Sequence, residues 1–321
     1  MDFELSDDQR EIRDVARALL AERLAGAGQG EGLWEEVLAL GWPGAAAAEE
    51  HGGLDLDLVS VAVLVEELGY ACAPVPLLGT LLAVLAIETA GSAAQRELRV
   101  PQLLEGRLTG SVAATDPPSP VPDAADEGLV VVLDGPRGGA LIEGGATREM
   151  EAIDGRRRHG VLVDALPPGE ALPGDVRVAR AKASTIVSAE LTGLCRRALD
   201  ETVDYVSTRQ QFGVPVGSFQ AVQHTAASML RATEMAAVAT YHAAWVAEGE
   251  ADLLPRAAAM AKAQASDAAR FVTAAAIQLH GGIGFTWEAD LHWLFKRAQV
   301  DAAYLGGGTY QRAQIADALI H

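Results

Sequence analysis

The second half of the chain constrains its fold most. From about Ala183 onward, four long apolar-periodic segments follow one another, 184–209, 219–249, 255–280 and 288–304, and a shorter one is expected over 309–320. Loops containing Gly or Pro separate them. Long amphipathic helices joined by short connections cannot bury their stripes singly, and the economical solution is an antiparallel four-helix bundle. The composition agrees with close packing. Half of the residues are hydrophobic, alanine dominates that half, and only 5% are aromatic. Alanine loses no side-chain entropy in a helix and lets axes approach closely.

Residues 1–109 also read as helical. Ser6 followed by Gln9 is a capping-box pattern, and Ile12, Val15, Ala16, Leu19 and Leu20 then recur at helical spacing. Leu33, Trp34, Val37 and Leu38 form a second stripe that Gly41 stops. HGGLDLD (51–57) reads as a loop, and helices are expected over 57–69, 77–90 and 92–105. The texture changes at Gly110. TDPPSPVPD (115–123) reads as an extended surface linker, LVVVL (129–133) and HGVLVDA (159–165) as strands, and GPRGG (135–139) as a turn. The expected organisation is mainly α: an N-terminal helical domain (1–109), a small reduced β domain (110–180) and a C-terminal four-helix bundle (181–321).

A formal net charge of -19 opposes a nucleic-acid partner, because such a surface repels phosphates. It leaves room for a nucleotide cofactor held by a local cluster of donors. Cys72 and Cys195 sit in apolar helical contexts with no metal-type spacing, so two reduced buried thiols and no metal site are expected. The acidic N-terminal stretch is unlike a signal peptide, and no long uninterrupted apolar run is present. The expectation is a cytoplasmic protein with no membrane span.

Several separate stretches carry a resemblance. LGWPGAAAAEEHGGLDLDLVSVAVLVEELG (40–69) is similar to a "GW…PEEYGG…EELG" pattern, with Ala48 in place of the usual proline. RRALDETVDYVSTRQQFGVPVGSFQAVQH (196–224) is similar to "R-x-x-FG…FQAVQH", and IQLHGGIGFTWEADLHWLFKRA (277–298) to "Q-x-x-GG-x-G…E…L". Their order resembles the acyl-CoA dehydrogenase family, and the chain looks like a short member of the kind that works as one half of a heteromeric enzyme. The middle matches poorly. Of the family's T-E-P-G-x-G-S-D segment only Thr115-Asp116-Pro117 remains, and no W-I-T-N segment is visible.

The resemblance implies FAD-dependent α,β-dehydrogenation of an acyl-CoA or carrier-bound acyl thioester. It implies that Arg209 binds the FAD diphosphate, that Phe212 packs on the adenine side, and that Gln220, in the following FQA, is cofactor-binding as well. Gln278, Gly281, Gly282 and Gly284 would close over the cofactor from a neighbouring subunit, and Thr309 and Gln311 would match a flavin-contacting "T-x-Q". A planar guanidinium suits a diphosphate, and glycines permit close backbone approach.

The reaction also needs a base for the α-proton. Aligning LGGGTYQ with the family's "Y-E-G-T-x-Q" puts Gly307 on the catalytic glutamate, and the alternative family position falls near Ala183. Neither residue can take a proton. The nearby titratable residues Asp301, Tyr304 and Tyr310 each read as structural, as does Glu190; Glu288 reads as a cap for the following helix. His224 reads as a core or cofactor-edge histidine, GRRRH (155–159) as a solvated turn or a CoA phosphate site, and Trp42, Trp245 and Trp293 as members of helix faces.

Three functions fit these residues. One is a base-lacking subunit of a heteromeric acyl-CoA dehydrogenase that shares FAD with a related chain. Another is a self-sufficient dehydrogenase with a displaced base. The third is the same fold reused without redox chemistry, as a binding module or a lyase- or cyclase-like biosynthetic enzyme.

Overall fold

The structure is a computed structural model that describes residues 4–25, 30–124, 127–134 and 138–320. Its helices are α1 (Asp7–Arg23), α2 (Leu33–Ala39), α3 (Leu58–Ala71), α4 (Leu77–Ala90) and α5 (Ala93–Leu104), then α6 (Val176–Thr208), α7 (Gln220–Val246), α8 (Leu254–His280), α9 (Leu291–Ala303) and α10 (Gly308–Ile320). Local chemistry sets most of these limits. The Ser6 hydroxyl accepts from Gln9 N–H and the Gln9 side chain accepts from Ser6 N–H, which satisfies two donors that a helix start otherwise orphans. Ser92 and Gln95 repeat the device at α5. The Asp57 carboxylate caps α3 through Ser60 N–H.

Among the described residues, seven strands lie between α5 and α6: β1 (Gly110–Ala113), β2 (Val121–Pro122), β3 (Leu129–Leu133), β4 (Gly139–Glu143), β5 (Thr147–Glu149), β6 (His159–Leu162) and β7 (Glu170–Leu172). One sheet has the order β1-β3-β4-β7, with β1 parallel to β3 and the other pairs antiparallel. A second, antiparallel sheet has the order β2-β6-β5. Strand β3 is buried throughout. Leu129, Val131 and Leu133 join the main core, whereas Val130 and Val132 join a small core between the sheets, as the two-residue period of a strand requires. Asp134 N–H donates to Gly138 O where β3 turns into β4; residues 135–137 of the expected GPRGG turn lie outside the described residues.

Helix α6 is the axis of the molecule and packs on α3, α4, α7, α8 and α9. Its crossing with α3 is backbone on backbone. A Cβ at Gly69 would lie 2.1 Å from Glu190 O, and one at Gly193 would lie 1.9 Å from Glu66 O. Glycine at both positions is therefore a condition of the crossing, which fixes where Glu66 and Glu190 project.

Three expectations are corrected. Helix α6 starts at Val176, with Asp175 accepting from Arg177 and Val178 N–H, instead of near 184; a good N-cap and continuous burial extend the helix through a stretch whose apolar period is weak. The end of the proline-rich segment is no surface linker. Val121–Ala124 are buried, and the Asp123 carboxylate accepts Gly79 N–H at 2.8 Å, because β2 completes the second sheet. The GRRRH stretch is only partly solvated: the Arg157 side chain is 3% exposed because it finds carboxylates across the core.

Candidate active site

Two places on the molecule carry the residues singled out by sequence. The first is the turn between α9 and α10. Leu305 (φ 55) and Gly306 (φ 99) both have positive φ, and Gln311, buried on α10, donates its side-chain amide to Leu305 O at 3.0 Å and Gly306 O at 3.1 Å. From the other side, the fully buried Lys262 of α8 donates to Asp301 O (3.0 Å), Ala302 O (3.2 Å) and Ser266 Oγ (3.1 Å), capping the last turn of α9. Burial lowers the Lys262 ammonium to about 7.

The three consecutive glycines of this turn differ. A Cβ at Gly306 would meet the Tyr310 ring at 2.4 Å, and one at Gly308 would meet the Asp267 carboxylate at 2.7 Å. At Gly307 it would meet nothing nearer than Ala302 O at 3.4 Å, and no positive φ is required. Gly306 is demanded by its positive φ and the Tyr310 ring, whereas the near atoms at Gly308 are the ends of two half-exposed flexible side chains, which can shift. The middle one leaves room for a side chain that the sequence does not supply.

The titratable neighbours are committed elsewhere. The Tyr304 hydroxyl is buried and donates to Val112 O at 2.7 Å, and burial pushes it well above the usual phenol range. Tyr310 lies with the Arg180 guanidinium 5.3 Å over its ring. Asp301 is fully buried within a cluster of ions whose centre is Arg157. Arg157 donates to Glu190 at 2.5 Å and 3.2 Å and lies 3.4 Å from Asp123; Arg297 pairs with Asp154 and, at 3.3 Å, with Glu190. Burial works against the Glu190 carboxylate, but the Arg157 and Arg297 guanidiniums hold it down at about 2. Asp301 goes the other way: burial and the Glu190 charge raise it well above the carboxylate range. His159, next to Arg157, is lowered to about 4 by burial and by that guanidinium, and its Nδ1 faces Arg157 O at 2.9 Å. Sequence reading missed this cluster. Its members come from the turn after β2, the loop before β6, α6 and α9, and the local signal is the placement of Arg297 on an otherwise apolar helix face.

The second place is the end of the bundle where α6 and α8 finish. Tyr205 stacks on His280 with ring centroids 4.3 Å apart, which holds the last turns of α6 and α8 together. Arg209, Phe212, Gln220, Gln278, Gly281 and Gly282 are exposed here, with Phe212 93% exposed. A Cβ at Gly281 or Gly282 would meet nothing within 4 Å, whereas one at Gly284 would meet Ile277 O at 2.7 Å. Arg209 and the glycine loop leave the same end of the chain, where the stacked ends of α6 and α8 lie together. Phe285 and Trp287 add further exposed aromatic surface, 79% and 76%.

Of the remaining residues, Thr309 is exposed, and Gln311 spends its amide N–H groups on its own turn instead of facing outward. His224 is exposed on the first turns of α7 and belongs to no core. Asp290, with no side-chain cap bond, occupies the N-cap position of α9, so Glu288 lies two residues too early to cap it. Ala183 is buried within α6. Cys72 and Cys195 are buried and unbridged. Among the described residues there is no metal-type cluster, and no helix is long and apolar enough to cross a membrane.

The helical frame and the two glycine-bearing turns together define a class. The profile described as "Acyl-CoA dehydrogenase, N-terminal domain" matches residues 6–107 and "Acyl-CoA dehydrogenase, C-terminal domain" matches 183–320. The chain belongs to the acyl-CoA dehydrogenase family and is an enzyme of its flavoprotein type. The acyl-CoA dehydrogenase IpdE2 of Mycolicibacterium smegmatis is 36% identical over 82% of this chain and 80% of its own length. IpdE2 of Mycobacterium tuberculosis is 35% identical over 93% of each chain. Among solved structures, the Tcur3481-Tcur3483 steroid acyl-CoA dehydrogenase G363A variant superposes with a TM-score of 0.85 at 28% identity, covering 98% of both chains. The ChsE4-ChsE5 complex of Mycobacterium tuberculosis shares the fold, with a TM-score of 0.87 at 23% identity, covering 100% of this chain and 99% of that one. The stretch between the two matched regions, 108–182, contains the strands.

Proposed function

We propose that the chain is the base-lacking subunit of a heteromeric acyl-CoA dehydrogenase, in which a related chain supplies the carboxylate that removes the α-proton of an acyl thioester. The observation that carries this reading is Gly307, a glycine that neither a positive φ nor any neighbour nearer than 3.4 Å requires. Asp301 and Tyr304 cannot stand in, because both are buried and already bonded within the core. Two of the similar solved structures are described as assemblies of two different chains, Tcur3481-Tcur3483 and ChsE4-ChsE5.

The family binds FAD, and the α6/α8 end fits the dinucleotide half of that cofactor. It offers an exposed guanidinium at Arg209, bare backbone at Gly281 and Gly282, and uncovered rings at Phe212 and Phe285 on which an adenine could stack. The side toward the β layer fits less well, since the Thr115 hydroxyl is spent on Asp134. When bound, FAD accepts the β-hydrogen as hydride. This chain's own share is to hold the phosphates at Arg209 and to offer polar backbone at the start of α10. Gly307 directly precedes that helix, whose first N–H groups lack intrahelical acceptors and favour the negative charge that builds on a thioester oxygen as the α-proton leaves.

The test is to purify the chain alone and together with its related chain, record the visible spectrum of each, and assay acyl-CoA dehydrogenation with an artificial electron acceptor. Flavin colour and turnover in the pair, with no turnover in the single chain, is expected. Turnover by the single chain refutes the base-lacking assignment. A colourless pair that cannot be reconstituted with FAD points to the fold reused without redox chemistry. Location in the cytoplasm belongs to the same reading, as do the acyl-CoA or carrier-bound acyl substrate and a hetero-oligomeric state.

A further inference from the structure

On the side of α6 away from the ion cluster, a trough of about 830 Å³ runs between α1 and α7, floored by α3 and α6. One face of α7 lies along its whole length. Leu230, Val238 and Trp245 line the trough and remain 50%, 58% and 45% exposed, whereas Met229, Ala236, Ala243 and Ala244 of the same helix are buried in the bundle. From Leu230 to Trp245 this face extends roughly 22 Å at the helical rise, the length of a four-turn helix. An apolar helix face of that length beside an open trough has the form of a groove that accepts an amphipathic helix.

Charge selects the occupant. Seven carboxylates but only three guanidiniums line the trough. Arg17 is bidentate to Glu67, with both bonds at 2.8 Å, and Arg196 is shared between Glu66 (2.5 Å) and Glu234 (3.2 Å). Asp57, Asp200 and Glu248 instead take hydrogen bonds from neutral donors, namely Ser60 N–H, Tyr70 O–H and Leu58 N–H. Their charge is left at both ends of the floor. A second copy of this chain would bring the same acidic surface and a formal charge of -19 against it, so charge opposes self-association there.

We infer that the α1–α7 trough is the docking surface for a basic amphipathic helix of a different polypeptide, whose apolar stripe covers Leu230, Val238 and Trp245 and whose Lys or Arg side chains reach the unpaired carboxylates on the floor. The inference rests on α7 and the trough and is independent of the flavin chemistry.

The probe is a pair of synthetic helical peptides of about 18 residues, roughly 27 Å long. They share one leucine stripe and carry either lysine or glutamate on the flanking positions. Binding to the full chain is followed by anisotropy of a labelled peptide. The lysine peptide is expected to bind at least about 10-fold more tightly than the glutamate peptide, and to weaken as salt screens the floor. Val238→Asp, at an exposed position that leaves the fold intact by thermal unfolding, should reduce that binding by about 10-fold or more. Glu234→Lys should reduce it less. Equal binding of the two peptides, or binding untouched by Val238→Asp, overturns the proposal. So does displacement of the lysine peptide by spermidine at equal concentration, which would make the trough a site for small organic cations. Sedimentation showing a dimer of this chain that Val238→Asp dissolves would assign the trough to a second copy and overturn it equally.

Discussion

The ion cluster around Arg157 and the exposed end around Arg209 use the same side chain in opposite ways. Arg157 and Arg297 are buried, and Glu190, Asp154, Asp123 and Asp301, all from this chain, surround them. Arg209 ends its helix in the open, beside Phe212 and the bare glycines 281 and 282. A buried charge without partners costs several kcal/mol, so the core had to be completed within the chain. The outer end carries no such demand, and its exposed rings and backbone are surface that a ligand or subunit can cover. The contrast separates arginines that hold the fold from one that is available for function.

The contrast is broken most directly at Arg297. Arg297→Met removes a charge while leaving Asp154 and Glu190 buried, and should cost about 3–5 kcal/mol in urea unfolding. Arg209→Ala should cost less than about 0.5 kcal/mol by the same measurement and yet loosen FAD by roughly 10-fold or more, read by flavin retention on desalting. Equal stability losses at the two positions would erase the distinction.

The cluster also sets the acid limit. His159 titrates near 4 in the fold and near 6.5 when unfolded, so the unfolded chain binds more protons between those values and stability falls as pH drops from 6.5 to 4. The loss is about 3 kcal/mol. Glu190, held at about 2 against 4.5, adds a second loss as pH falls from 4.5 toward 2. Chemical unfolding at a series of pH values reads both, and His159→Phe should remove most of the first. Profiles of the parent and His159→Phe that coincide between pH 6.5 and 4 would show that His159 is not held neutral.

A smaller effect sharpens the reading of the turn. Gly306→Ala must relieve a 2.4 Å contact at positive φ and should cost about 2 kcal/mol, whereas Gly307→Ala should change stability by less than about 0.5 kcal/mol. Similar costs for the two would remove the ground for treating Gly307 as an open position. Gly307→Glu should then fold as well as the parent. If 307 is the vacant base position, the variant should show turnover in the flavin-loaded chain alone.

The local structure was largely legible in the residues. The helix expected over 77–90 spans Leu77–Ala90, and the capping box at Ser6 and the stop at Gly41 are where the sequence puts them. Periodicity and capping act within one or two turns of chain, so they can be read without knowing what packs on them. The motifs that carry the resemblance were legible for the same reason, being contiguous.

Tertiary structure alone decided what the charged residues do. Arg157 was indistinguishable in sequence from its solvated neighbour Arg158, and Lys262 from any other helical lysine. Asp123 sat in a stretch that read as a surface linker. Their roles come from partners as far apart in sequence as Arg157 and Asp301, which only the crossing of α6 with α3 and α9 brings within reach. The same holds at 306–308. The sequence determined that three glycines stand in a row. The positive φ at 306 and the packing of Tyr310 and Ala302 decided that Gly306 is obligatory and Gly307 open, because room for a side chain is set by the atoms that surround it in space.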